Sequence, residues 1–196
     1  MKIILATTNP TKREQIHAGL RGLSISIVLP KEIGIDGEGT EDSDKLEDNG
    51  RSKARYAHER APEGYWTLAE DTGFSINCLG GLPGAKAARW AGDVSTEEIT
   101  RFTLEKMQGV SDRTAYFECV GILISPEGEE YVFTGRVDGN VLEAPRCKPQ
   151  PKMPYSSIFV PDGFTKVWAE MEVDEENQIS HRGKMVKKLR EFIETR

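Results

Sequence analysis

Two adjacent acids, Glu70 and Asp71, follow the apolar run Trp66-Thr67-Leu68-Ala69 and precede Thr72-Gly73. Neighbouring carboxylates offer hard oxygen atoms, and Mg²⁺ is commonly held by one or two of them together with substrate phosphates. Such a carboxylate also serves as the base for a water attacking phosphorus. The chain opens with Ile3-Ile4-Leu5-Ala6-Thr7-Thr8-Asn9-Pro10-Thr11-Lys12, which reads as a buried strand, a polar turn and a helix start. Asn9 suits the N-cap and Pro10 the first helical position. A helix end of this kind receives phosphate on free backbone N–H groups, with Lys12 adding charge. The two features together point to metal-assisted nucleotide chemistry.

A third segment, Ser180-His181-Arg182-Gly183, opens the last helix. Two cationic residue types in a helix's first turn oppose its dipole, a conflict that an anionic ligand would relieve. Each motif has a plain structural reading as well. Thr7 to Lys12 also reads as an ordinary capped helix, Glu70-Asp71 as a solvated turn, and His181-Arg182 as a tolerated surface end. Glu41 and Asp48 are further acids upstream. No GxSxG elbow, Cys–His pair or Walker sequence is present.

The elements that must position these residues follow from periodicity. Met1 to Ala6 predicts a strand, and a helix runs from Asn9 through Ile16 and Leu20. Ser24 to Leu29 alternates like a strand, and Lys31 to Asp44 reads as a loop. Leu46 to Arg60 predicts a helix with Asn49 and Lys53 on one face. Tyr65 to Ala69 predicts a strand that leaves the core at Glu70-Asp71, with Gly73 letting the chain turn and Phe74 to Leu79 continuing as strand or hairpin. Thr96 to Met107 predicts a helix capped by Ser95 with Glu98 three residues on. Thr114 to Ile124 and Glu130 to Arg136 flank the turn Ser125-Pro126-Glu127-Gly128, and Asn140 to Glu143 adds a strand. Pro145 to Pro154 is a proline-rich loop, Ser156 to Val160 a short strand, and Ser180 starts the final helix. The result is a single α/β domain over residues 1–196 with a mixed sheet.

A net charge of −6 argues against a general nucleic-acid or membrane-surface binder. Cys78, Cys119 and Cys147 form no CxxC pair, as expected of reduced thiols in a cytoplasmic protein. No apolar run approaches membrane-spanning length.

Taken in order, the motifs resemble the inosine triphosphate pyrophosphatase family. Thr7-Thr8-Asn9-Pro10-Thr11-Lys12, Asp48-Asn49-Gly50-Arg51-Ser52-Lys53-Ala54, Ala69-Glu70-Asp71-Thr72-Gly73, Leu79-Gly80-Gly81-Leu82-Pro83-Gly84, Ala88-Arg89-Trp90 and Ile179-Ser180-His181-Arg182-Gly183 carry the likeness. The resemblance implies a long mixed sheet flanked by helices, two lobes with a cleft between them, and a homodimer. It implies Mg²⁺-dependent attack of water at the α-phosphate of a purine nucleoside triphosphate, releasing pyrophosphate. Thr7, Asn9, Lys12, Lys53 and Thr72 would then hold the substrate. Asp71, Glu41 and Glu70 would serve the metal, Asp71 doubling as the base, and His181 and Arg182 would read the purine. In the base loop Met153 stands where the family has a stacking Phe, Ser156 where it has Asp, and prolines 151 and 154 where it has glycines. Glu176 replaces a Lys. Met153, Tyr155, Ser156 and Glu176 are therefore expected at the base, with a changed base preference, since a Glu accepts from an exocyclic amine and a Lys does not. Two other functions share these motifs: a nucleotide-binding regulator with little turnover, and a metal-dependent hydrolase of a non-nucleotide phosphate.

Overall fold

The computed structural model describes residues 1–196. In chain order the elements are β1 (Lys2–Leu5), α1 (Pro10–Gly19), β2 (Ser26–Val28), α2 (Leu46–His58), β3 (Tyr65–Ile76), β4 (Pro83–Gly84), α3 (Thr96–Lys106), β5 (Thr114–Ile124), β6 (Glu130–Val141), β7 (Phe159–Pro161), α4 (Val173–Ile179) and α5 (His181–Glu194). One mixed sheet runs in the order β2-β1-β3-β5-β6-β7, with β4 also paired to β3. β1 is parallel to both β2 and β3, and the remaining pairs are antiparallel.

The long strand β3 departs most from the sequence reading. It does not end at Ala69, and Gly73 makes no turn. Pairing with β5 continues without a break from Thr67 opposite Ile124 to Ile76 opposite Ala115. Gly73 is a packing glycine, because a Cβ there would sit 3.2 Å from both Leu46 and the Gly84 carbonyl. The neighbour stops instead. β1 pairs with β3 only as far as Leu68, and β4 joins at Phe74 and Ser75. One edge of Ala69 to Gly73 is thus left open, at the carboxyl end of β1, where α/β sheets bind ligands.

The two strands expected over Glu130 to Glu143 are one, β6, and the strand expected from Ser156 begins at Phe159. Helix α4 has no counterpart in the sequence reading: seven residues with three acids in the first turn show too little periodicity. Two large apolar clusters lie along the sheet. One gathers Phe74, Phe117, Phe159 and Trp168, and the other Ile3, Leu68, Leu123 and Leu189. A smaller one sits under α2, around Ala54, Ala69 and Ile122. No helix is long and apolar enough to cross a membrane.

Two glycines dock the α4–α5 corner. Gly135 on β6 lies directly against the His181 carbonyl, and Gly183 lies against the Asn177 carbonyl; a side chain at either would overlap those atoms. Ser180 caps α5 by accepting from the Gly183 amide at 3.0 Å. Gly→Ala inside a helix ordinarily stabilises by about 0.5–1 kcal/mol. Gly183→Ala is expected to do the reverse, losing about 1–3 kcal/mol through overpacking in urea denaturation. A more stable variant would show that the corner is not packed this way.

Candidate active site

A cleft of about 320 Å³ opens at the free edge of β3, within the size range of small-molecule sites. A wider groove of about 640 Å³ lies beside α1, but its ionisable residues Glu14, His17, Arg21, Glu172 and Asp174 are all exposed. The cleft instead brings buried charges together.

Alternation along β3 sends Glu70 and Asp71 to opposite faces. On one face, Lys53 from α2 donates to Asp71 Oδ1 at 2.8 Å and to Glu41 Oε1 at 2.6 Å. Asn49, one turn before Lys53, donates to Asp71 Oδ2 at 3.1 Å. Arg89 reaches across to Glu41, donating to its backbone carbonyl and lying 3.5 Å from its carboxylate. Burial raises the Asp71 pKa above its ordinary value, against the pull of Lys53 and Lys12. Burial also opposes the charges on Lys53 and Glu41. Asp71 and Glu41 outweigh it at Lys53 and raise its pKa; at Glu41 the Lys53 ammonium leads the lowering.

On the other face, Arg182 Nε donates to Glu70 Oε1 at 2.9 Å, with both side chains completely buried. Lys12 Nζ lies 3.1 Å from the same oxygen. Thr72 donates to Glu70 Oε2 at 2.8 Å and accepts from Arg182 at 3.1 Å, and Arg182 also donates to Gln15 Oε1. Burial opposes the Glu70 charge, but Arg182, Lys12 and Lys53 override it and hold its pKa far below the usual range. Glu70, expected beside Asp71 at the metal, does not line the cleft; its oxygens meet Arg182, Lys12 and Thr72. The helix-dipole conflict at Arg182 is likewise resolved inside the protein, by Glu70.

The free amides expected at the start of α1 are also committed. Asn9 Oδ1 accepts from Thr11 N at 3.0 Å and from Lys12 N at 3.3 Å, while Thr7 Oγ1 accepts from Asn9 N. Thr7, Asn9 and Lys12 still line the cleft.

At the far end, His181 stacks on Phe117, with ring centroids 4.8 Å apart and planes at 12°. It is buried, lines the cleft, and neither ring nitrogen has a partner. Burial and the adjacent Arg182 hold its pKa well below the ordinary 6.5, so it is neutral. Met153 lines the cleft opposite, its sulfur 3.9 Å from Asn9 Nδ2.

The residues expected at the base divide: Tyr155 and Ser156 line the cleft, and Glu176 does not. Tyr155 lines the cleft but is anchored in the core, its hydroxyl donating to the Ala87 carbonyl at 2.9 Å. The Ser156 hydroxyl braces its own loop, donating to the Met153 carbonyl and accepting from Gln150 N. Glu176 has no exposed surface and does not line the cleft. It accepts from Gln150 at 3.4 Å, and burial raises its pKa. Sequence reasoning passed over Asn49, Arg89, Gln15 and Phe117 as site residues. Asn49 carried a signal in its shared helix face with Lys53, and Arg89 in its motif. Gln15 and Phe117 carried none, because burial beside Arg182 and stacking on His181 are long-range contacts.

Residues 3–192 match the model of the Ham1 family. The chain belongs to the Ham1 family. The dITP/XTP pyrophosphatase of Caldanaerobacter subterraneus subsp. tengcongensis is 35% identical over 98% of this chain and 96% of its own. That of Leuconostoc mesenteroides is 37% identical over 96% and 94%. Among solved structures, a HAM1 protein from Coxiella burnetii covers all of both chains with a TM-score of 0.88 at 28% identity.

Two outcomes follow from the buried charges of this Ham1 chain. Glu70→Gln strands the Arg182 charge and is expected to cost about 3–5 kcal/mol in chemical denaturation, part of which returns with Arg182→Met. His181 stays neutral when folded but takes a proton when unfolded. Its contribution is therefore full above about pH 6.5 and is lost as pH falls below that value, by up to about 1.4 kcal/mol per pH unit. His181→Asn should flatten that slope between about pH 6.5 and 5.

Proposed function

We propose that this chain is a Mg²⁺-dependent nucleoside triphosphate pyrophosphohydrolase acting on purine nucleotides. The observation that carries the reading is the Lys53 ammonium held between Asp71 and Glu41 at the open edge of β3. At the other end of the same cleft lies a neutral, unpartnered imidazole. The relatives named for dITP and XTP support a purine substrate.

The donor set fits Mg²⁺. Two hard carboxylates share one cation, and no third protein acid joins them. That is the arrangement of an ion completed by substrate phosphates and water, not by a protein cage. Asp71 and Glu41 would hold it, and when bound it neutralises charge developing on the phosphates.

The chain's own residues supply the rest. Asp71, with its raised pKa, accepts a proton from the attacking water. The water oxygen bonds to the α-phosphorus, the bond to the bridging oxygen breaks, and pyrophosphate leaves with that electron pair. Lys53 and Lys12 bind the phosphate oxygens, and Asn49 keeps Asp71 oriented. His181 meets the edge of the base while Met153 covers its face, a softer cover than an aromatic ring. We attribute any changed base preference to Met153, since Glu176 is enclosed. We further propose that residues 1–196 act as one domain of two lobes, as a homodimer in the cytoplasm.

Pyrophosphate release with Mg²⁺ tests the reading across standard, deaminated and modified purine triphosphates. Asp71→Asn should lower kcat by about 10²–10⁴-fold, and chelation of Mg²⁺ should abolish release. Binding of a triphosphate without release would mark a nucleotide-binding regulator instead, and release of orthophosphate from a non-nucleotide a different hydrolase.

A further inference from the structure

Five cationic residues line the cleft: Lys12, Lys53, Arg89, Lys152 and Arg182. Four are already paired with carboxylates. Lys12 and Arg182 lie on Glu70, Lys53 on Asp71 and Glu41, and Arg89 on Glu41. Lys152 has no such partner, although the chain carries a net charge of −6. A polyanionic substrate therefore meets one uncommitted positive charge.

The backbone singles out the same residue. Lys152 is the one non-glycine residue of the chain with a left-handed φ, at +58°. Such a conformation disfavours residues with a Cβ and persists only where the surroundings impose it, most often at functional sites. The surroundings here are explicit. The Lys152 carbonyl accepts from Asn9 Nδ2 at 3.5 Å, the Pro151 carbonyl accepts from the Thr11 hydroxyl at 3.0 Å, and Met153 N donates to the Gln150 carbonyl at 3.0 Å. Asn9 is also the residue that caps α1. The loop is thereby strapped to the turn that presents Lys12, one side chain away from the phosphate end. Glycine would fit this backbone without strain, so a lysine trades stability for a charge over the cleft.

We propose that Lys152 is a further substrate-binding residue, a cation held over the cleft to take the phosphate chain of the nucleotide. The assignment rests on the nucleoside triphosphate reading above. Lys152→Gly separates function from structure because the two effects have opposite signs. Its melting temperature is expected to rise by about 2–4 °C as strain is relieved. Its KM for Mg²⁺–inosine triphosphate is expected to rise about three- to tenfold at low ionic strength, more than kcat falls, and the difference should shrink in high salt. Lys152→Arg should keep the KM near that of the parent. An unchanged KM in Lys152→Gly overturns the proposal, as does a rise that ignores salt. Calorimetric binding of Mg²⁺–tripolyphosphate keeps this question apart from turnover. Weaker binding by Lys152→Gly in a protein that releases no pyrophosphate would uphold the clamp and sink the catalytic reading. Turnover with equal tripolyphosphate affinity in both proteins would do the opposite, and no tripolyphosphate binding by the parent would overturn the clamp.

Discussion

The architecture of the cleft depends on one buried ion pair, Glu70 with Arg182. Both side chains are wholly out of solvent, where an isolated charge would be prohibitively costly. The pair joins the centre of β3 to the first turn of α5. Through Lys12 and Gln15 it also joins both to α1. Three chain segments far apart in sequence are thus held at one point. The first turn of α5 can carry a cation against its own dipole because Glu70 supplies the opposing charge. The neighbouring His181 is kept neutral and apolar enough to stack on Phe117.

Strand alternation then divides the labour between the two adjacent acids. Glu70 is consumed by structure on one face, leaving Asp71 on the other face among Asn49, Lys53 and Glu41. Groups from both faces line one cleft because β1 ends at Leu5 and leaves the edge of β3 uncovered. A pleated strand normally keeps its faces apart. An open edge lets a single molecule touch groups from both.

Asn9 couples the two ends of the cleft. Its side-chain oxygen closes the first turn of α1, while its amide nitrogen reaches Lys152 and Met153 on the opposite loop. The proline-rich loop therefore does not drift free over the site. Its position is tied to the first turn of α1, whose Lys12 lines the cleft.

Much of this was legible in the sequence. The cap at Asn9, the shared face of Asn49 and Lys53, and the capping box at Ser95 and Glu98 are local rules, and each stands in the structure where residue type and spacing placed it. The ordered motifs likewise identified the family and the mixed sheet. The sequence could not show that β3 continues through Glu70 and Asp71, because a strand carrying acids and a glycine reads locally as a turn until β5 is seen pairing along its full length. Nor could it tell which acid is spent: Glu70 and Asp71 differ by one methylene in composition and by a whole sheet face in position. Glu176 looked like a base contact by its place in a motif, yet folding closed it away from the cleft. Capping, periodicity and residue spacing act within a few residues and are written in the chain. Burial, ion pairing and the open edge arise between segments far apart in the chain, 112 residues for Glu70 and Arg182 and 167 for Gln15 and Arg182, so only the tertiary structure decided them.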